Sequence, residues 1–386
     1  MIVFIGRLSV ALGVVVSLIT VSTGLGSKRA IKERMADFSG HISIKSKQSN
    51  NSYNSSILDT SELKLQQIKT LSGVAATQKY ASVSGILRNE HNFAGIILKG
   101  VGKDFDAARF KKFLVAGEIP NYQEKGYNNG IIISEKIAAD LHLKVKDSIV
   151  AIFSKENQSP LYRNFEVKGI YKTEIKMIDD LYIIGDINHA RKIQGMTNQE
   201  LGGLDVFMKN IDDIDEYAPE IDRLAGYKNY TVKATDEYPQ IMDFIAIFDT
   251  NIVLIISIML VVVIINIIML LLILIIERTN SIGMLKTLGA TNAQIRTIFI
   301  NYTLLIMVPG LVIGNLIGLS FLFIQKYFGL ITLNPENYYL SVVPVEINVL
   351  HIISISAGIL LVSAISLILP SYLISKISPV KAIKYN

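Results

Sequence analysis

The chain has 386 residues, half of them hydrophobic, a mean hydropathy of +0.40, a formal net charge of +5 and no cysteine. That apolar content excludes an ordinary soluble globular protein. The missing cysteines exclude a disulfide framework, a thiolate metal site and a cysteine nucleophile.

Leu8–Ser27 is the first uncharged run, matching the roughly 20 residues needed to cross a bilayer core of about 30 Å. A cleavable signal peptide with Arg7 as its charged lead is one reading of it. A retained span is the other, favoured by the lack of an A-x-A-like site and by the basic helical stretch Lys28–Arg34 that follows. Met1 opens almost directly into apolar sequence, so a basic segment further upstream is expected.

Residues 28–245 read as a large α+β domain. His41–Lys47 alternates as a strand, and Gln48–Ser56 is a polar linker. Asp59–Leu71 has helical periodicity, and Val74–Val101 holds two or three strands. Gly130–Ile133 is a strand, Ser134 a cap and Glu135–Leu141 a short helix. Strands Ser148–Phe153 and Phe165–Tyr171 flank a loop, Ser154–Asn164, with Pro160 near its centre. A helix at Ile187–Gln194, a strand at Leu204–Met208, a helix at Ile214–Leu224 and a strand at Tyr230–Thr235 complete the domain. The second span is expected to extend outward as a helix from about Pro239.

Residues 246–386 carry three further spans: Thr250–Ile276, Thr297–Gln325 and Ile347–Ser375. The last two contain glycines and prolines, so ends or bends are expected there, with Pro309 as a kink or a start. Between the second and third spans, Ile282, Leu285, Leu288 and Ile295 repeat at helical spacing, with Gly289 as a break. This predicts a small amphipathic helix held between two spans, suited to passing force from a partner into the membrane. Gly310, Gly314 and Gly318 share one helix face, where small residues let another helix approach closely. Asn266, alone at mid-span, is expected to make an interhelical hydrogen bond.

Lys and Arg counts set the orientation. The loop at 277–296 carries Arg278, Lys286 and Arg296 against Glu277, and the tail carries Lys376, Lys381 and Lys384. Both are therefore expected on the cytoplasmic side, with the large domain outside. Lys28, Arg29, Lys32 and Arg34 bias the first span the other way, a bias that long domains can override. Much of the net charge is thus topological, and no nucleic acid is implied.

Catalytic patterns are hard to find. The five histidines show no paired metal-ligand spacing. Asp179-Asp180 reads as a solvated turn and Asp212-Asp213 as a helix N-terminus. Gly100-Val101-Gly102-Lys103 lacks the first glycine and the final Ser/Thr of a phosphate loop, and reads as a turn. Any ATP used must be bound by another chain.

The stretch Glu277-Arg278…Ile282-Gly283-Met284-Leu285-Lys286-Thr287-Leu288-Gly289-Ala290…Gln294-Ile295 resembles the cytoplasmic coupling helix of the permease family of mechanotransmitting ABC systems, which includes FtsX, MacB and LolC/LolE. The resemblance covers nearly the whole chain: one span, a large periplasmic domain, three spans. Phe38-Ser39-Gly40-His41-Ile42, Asn334-Pro335-Glu336-Asn337-Tyr338-Tyr339 and the tail Leu369–Ile383 resemble the lipoprotein-releasing branch. The fold implied is a bacterial inner-membrane protein with four transmembrane helices and a MacB-like α+β periplasmic core.

The resemblance also implies a role and partners. The chain would be a permease subunit, not an enzyme, extracting lipoproteins from the inner membrane. It would bind no cofactor itself and would use ATP through a LolD-like ATPase dimer. A second permease, identical or homologous, would pair with it. A LolA-like periplasmic chaperone would receive the lipoprotein at a hook whose counterpart here is Gln158, Ser159, Pro160, Leu161, Tyr162 and Arg163. An FtsX-like regulator of cell-wall hydrolases and a MacB-like efflux permease are the alternatives.

Overall fold

The structure is a computed structural model that describes residues 2–48, 53–123, 126–154 and 159–372. In chain order the elements are α1 (Ile2–Ser39), β1 (Ile42–Ser46), α2 (Leu65–Thr70), β2 (Val74–Arg88), β3 (Phe93–Val101), α3 (Ala107–Phe110), β4 (Leu114–Gly117), β5 (Gly130–Ser134), α4 (Glu135–Asp140), β6 (Ser148–Phe153), β7 (Leu161–Tyr171), α5 (Lys176–Asp179), β8 (Tyr182–Asp186), α6 (Ile187–Gln194), β9 (Gly203–Met208), α7 (Ile214–Ala225) and β10 (Asn229–Lys233). The remaining helices are α8 (Pro239–Glu277), α9 (Thr279–Thr287), α10 (Asn292–Phe328), α11 (Pro335–Tyr338), α12 (Val349–Ser366) and α13 (Ile368–Ser371). Two compact units result. One, the helical unit, comprises residues up to 28, 244–332 and those from 342; the other, the sheet unit, comprises 29–243 with 333–341.

Among the described residues, four helices are long and apolar enough to cross a membrane: α1, α8, α10 and α12. Each of the first three outlasts its uncharged run: α1 runs on to Ser39, α8 starts at Pro239, and α10 covers Asn292–Phe328. α10 starts at Asn292 because the Thr291 hydroxyl accepts from the Gln294 amide while the Gln294 side chain accepts from the Thr291 amide, a capping box. It then runs through Pro309, so that proline neither starts nor ends the helix. α12 is shorter than expected. Asn348 caps its start by accepting from the Leu350 amide at 2.9 Å, and the helix stops at Ser366, shortly before Pro370. Val10, Val14 and Leu18 of α1 share one apolar core with Val263, Ile267 and Leu271 of α8 and Ile306 and Leu311 of α10.

The sheet unit is organised by β2, a 15-residue strand. Its first half pairs with β9, which pairs with β1, which pairs with β10, all antiparallel. Its second half pairs with β3 and β6. From β3 the ladder passes to β8, β5 and β7, and β7 returns to β6. β2, β3, β8, β5, β7 and β6 thus close a ring. Two cores follow. Val83, Leu98, Ile131, Phe153 and Phe165 fill the ring, whereas Ile42, Ile44, Val206, Ile221 and Leu224 pack β1 and β9 beneath α7.

The structure departs from the sequence pattern at several places. The predicted helix Asp59–Leu71 forms only at Leu65–Thr70. Gly100 and Val101 end strand β3 instead of forming a turn. A Cβ at Gly100 would lie 2.7 Å from the Ile187 backbone, so glycine is needed where α6 crosses the strand. Asp179 is not solvated: it is buried and accepts from the amides of Thr173 and Glu174 and from the Thr173 hydroxyl.

Candidate functional site

The turn from α8 to α10 is built by local chemistry. α9 closes with the Ala290 amide bonded to the Leu285 carbonyl at 2.9 Å and the Gly289 amide to Lys286 at 3.1 Å. This is a Schellman end, and it requires the left-handed residue that Gly289 supplies at φ +94°. The capping box of α10 begins two residues later, so the corner between α9 and α10 is closed first by backbone hydrogen bonds and then by the Thr291 and Gln294 side chains. The sequence stripe divides in two. Ile282 and Gly283 are buried in the helical unit with Ile295, and Leu285 and Ala290 are half-buried beside them. Leu288 instead projects outward at 82% exposure, as do Met284, Thr287 and Gly289, while Lys286 is intermediate. Leu288 thus leaves the face of Ile282, Leu285 and Ile295 because the helix has already ended at Thr287.

Gly310, Gly314 and Gly318 face α1. A Cβ at Gly310 would lie 2.7 Å from the Arg7 carbonyl oxygen, one at Gly314 2.7 Å from that of Ala11, and one at Gly318 3.2 Å from Leu18 Cδ1. The Asn266 side chain donates to Val262 of its own helix at 2.8 Å, and not across helices as expected. Polar contacts between these helices lie elsewhere: Asn315 Nδ2 on α10 meets Ser356 Oγ on α12 at 3.0 Å, and Lys28 on α1 pairs with Asp249 on α8 at 2.7 Å. Nothing in the spacing of these residues distinguishes either pair in the sequence.

The β6–β7 ladder extends to the pairs Ile152 with Tyr162 and Phe153 with Leu161. Leu161, Tyr162 and Arg163 are therefore strand residues, and β7 already begins at Leu161, inside the expected loop 154–164. Of the six residues at the expected hook, Gln158 lies outside the described residues; Ser159 and Pro160 are exposed. Leu161 packs on the ring core, whereas Tyr162 is 61% exposed. Ile86 on β2 pairs with Ile152, so Ile86, Ile152 and Tyr162 form one apolar row across three strands.

The sheet unit also holds charged groups that no local sequence pattern marks. Lys99 and Asp205 form a buried ion pair at 2.7 Å. Lys99 also donates to the Phe38 carbonyl at 3.0 Å, and Ser43 donates to Asp205 at 3.0 Å. The pair borders a cavity of about 100 Å³ whose lining includes Tyr53, Tyr182, Glu237 and Tyr238. Burial raises the Asp205 carboxyl above its ordinary range, with Lys99 pulling the other way. Arg34 pairs with Glu174 and donates to the Thr173 carbonyl at 3.1 Å. No group of three or more metal-ligating side chains occurs among the described residues.

Four membrane-length helices, a corner between two of them and a mixed-sheet unit inserted in the chain define a membrane protein with a large extramembrane domain. Residues 7–224 match the family of the MacB-like periplasmic core domain, and residues 253–379 match the FtsX-like permease C-terminal family. The chain belongs to the MacB-like periplasmic core family, with an FtsX-like permease region following it. Among named relatives, it is 21% identical to the lipoprotein-releasing system transmembrane protein LolC of Xylella fastidiosa (strain Temecula1), covering 98% of this chain and 92% of that one. It is 22% identical to LolE of Haemophilus influenzae, covering 97% and 92%. The extracellular domain of the ABC-type transporter YknZ from Gram-positive bacteria aligns with 50% of this chain and 99% of its own at 19% identity, with a TM-score of 0.35.

Proposed function

We propose that this chain is the inner-membrane permease subunit of an ABC complex that extracts lipoproteins and passes them to a periplasmic chaperone. The observation that carries the reading is the end-to-end similarity to LolC and LolE. In this reading α9 and the C-terminal tail face the cytoplasm and the sheet unit faces the periplasm. Residues 1–27 and 246–386 make up the membrane part and 28–245 the periplasmic domain.

ATP is bound and hydrolysed by a separate ATPase dimer, and this chain contributes no nucleotide site. The corner meets the ATPase through Leu285, Leu288, Gly289 and Ala290, with Ile282, Gly283, Lys286 and Thr287 shaping the same helix. Two permeases, identical or homologous, enclose an apolar cavity with their first and second helices, and Gly310, Gly314 and Gly318 hold the helices together. Acyl chains leave a bilayer at a cost of about 0.8 kcal/mol per CH₂, so removing a multi-chain anchor needs an external energy source. Closure of the ATPase dimer supplies it by moving the corner. The row Ile86, Ile152 and Tyr162 and the hairpin tip at Ser159 and Pro160, with Gln158, Leu161 and Arg163, receive the chaperone.

Photo-crosslinking from position 162 in living cells, read by mass spectrometry, tests this. Capture of a soluble lipoprotein chaperone is the expected result. Capture of a murein hydrolase instead would move the chain to the FtsX-like regulatory role and remove the extraction reading.

A further inference from the structure

The last turns of α1, which belong to the sheet unit, make several charge contacts within it. Arg29 reaches Asp212 at 3.2 Å, Asp37 takes Arg109 at 3.7 Å together with Lys112, and Lys99 holds the Phe38 carbonyl. In the middle of this ladder Arg34 pairs with Glu174. One oxygen of that carboxylate, Oε2, also accepts the Ser341 backbone amide at 2.9 Å. Ser341 ends the segment Leu333–Ser341, which lies between α10 and α12 in the chain yet packs with the sheet unit. A single carboxylate oxygen therefore joins three segments that are far apart in sequence.

The backbone marks the same spot. Among the described residues, four non-glycine residues have positive φ, and two of them are Glu174 at 65° and Tyr339 at 57°, one on each side of this contact. A left-handed glutamate is unfavourable unless its surroundings hold it, and such residues gather where geometry matters to function. Here Asp179 does the holding, since its carboxylate accepts the Glu174 amide at 3.0 Å and the Thr173 amide at 3.0 Å. The buried aspartate thus aims the glutamate. A surface ion pair kept only for stability would need neither the strained backbone nor the second donor.

We propose that Glu174 is a positioning residue that locks the end of α1 to the 333–341 segment, so that movement of the helices on either side of that segment is passed on through this carboxylate. The proposal rests on the reading of this chain as an ATP-coupled permease. Glu174 touches neither nucleotide nor cargo; it keeps two moving inputs in register.

Glu174→Gly is the informative substitution, because glycine adopts this φ without strain and so removes the carboxylate while keeping the turn. The charge swap Arg34→Glu with Glu174→Arg is the second, since it can restore the ion pair but offers the Ser341 amide no acceptor. The complex purified through the full-length chain is reconstituted in proteoliposomes with a fluorescent triacylated lipoprotein, and ATP hydrolysis and release are measured together. Both variants are expected to hydrolyse ATP within about twofold of the parent and to release lipoprotein at least fivefold more slowly. Release at the parental rate by either variant, or an equal loss of both activities, overturns the positioning role. Failure of the parent complex to release lipoprotein on ATP addition overturns the underlying reading instead.

Discussion

Lys99 Nζ lies 2.7 Å from Asp205 Oδ2, with side-chain exposures of 6% and 1%. The ammonium also sits 5.2 Å from the Phe38 ring centre and 5.1 Å from that of Tyr80. A buried pair of this kind offsets its desolvation only if both charges are fully used. They are: Lys99 donates to the Phe38 carbonyl near the end of α1, where a cation suits the negative end of the helix dipole, and Asp205 accepts from Ser43 as well.

Lys99→Met is therefore expected to destabilise the sheet unit by about 3–5 kcal/mol at neutral pH, because it strands a buried carboxylate. Burial already raises the Asp205 carboxyl, so without Lys99 the carboxyl takes up a proton more readily, and the penalty should shrink as pH falls. The double variant Lys99→Met, Asp205→Leu should lie closer to the parent than the single one does. Pulse proteolysis of the full-length chain at several pH values measures both effects. A single-variant penalty that is flat with pH contradicts this account of the pair.

His41 gives a pH response of opposite sign. Burial, with the Arg109 charge assisting, lowers its pKa from 6.5 to about 4. The folded chain thus keeps a neutral imidazole, whose Nδ1 accepts the Met208 amide, while the unfolded chain binds a proton below 6.5. The stabilisation is fully present above pH 6.5 and is lost as pH falls to about 4, amounting to about 3 kcal/mol. In His41→Asn, whose side-chain oxygen can accept the same amide, the drop between those pH values should be smaller by most of that amount. Denaturant midpoints across that interval are the measurement, and an unchanged slope counts against the assignment.

Hydrophobic period and turn chemistry made much of the architecture legible. Ile187–Gln194 emerges with the expected bounds, Ser134 caps α4, and α8 begins at Pro239. These are local signals, written in neighbouring residues. β4 and β8 escaped notice, the one being four residues and the other lying between two helices. The exposure of Leu288 was hidden because periodicity extends a helix that Gly289 has already ended. The Lys99–Asp205 and Arg34–Glu174 contacts were invisible for another reason: each joins residues more than 100 apart, and a lone Lys or Glu in a strand or loop reads as solvated.

The glycine row of α10 can be graded by what each missing Cβ would meet. At Gly310 and Gly314 the obstacle is the α1 backbone at 2.7 Å, which cannot move without separating the helices. At Gly318 it is the flexible end of Leu18 at 3.2 Å, which can rotate away. Alanine at 310 or 314 should thus cost about 1–3 kcal/mol, as overpacking does, while alanine at 318 should cost well under 1 kcal/mol. Gly358, with nothing within 4 Å, is the neutral control. Thermal unfolding in detergent ranks the four, and equal effects at 314 and 318 would remove the close-approach account.

At Gly289 the geometry separates shape from surface. A Cβ there meets nothing within 4 Å, so a substitution acts only through the φ of +94°. A β-branched residue resists that conformation strongly, so Gly289→Val should unwind the Schellman end and misplace the start of α10. Leu288→Glu, by contrast, leaves the corner intact and changes only the exposed apolar contact. Both are expected to insert in the membrane at parental levels and to lose most of the co-purifying ATPase, with Gly289→Ala retaining more than Gly289→Val because its strain is about 1 kcal/mol. Retention of the ATPase by Leu288→Glu together with Gly289→Val would mean that the partner, if it binds this chain, does so at another surface.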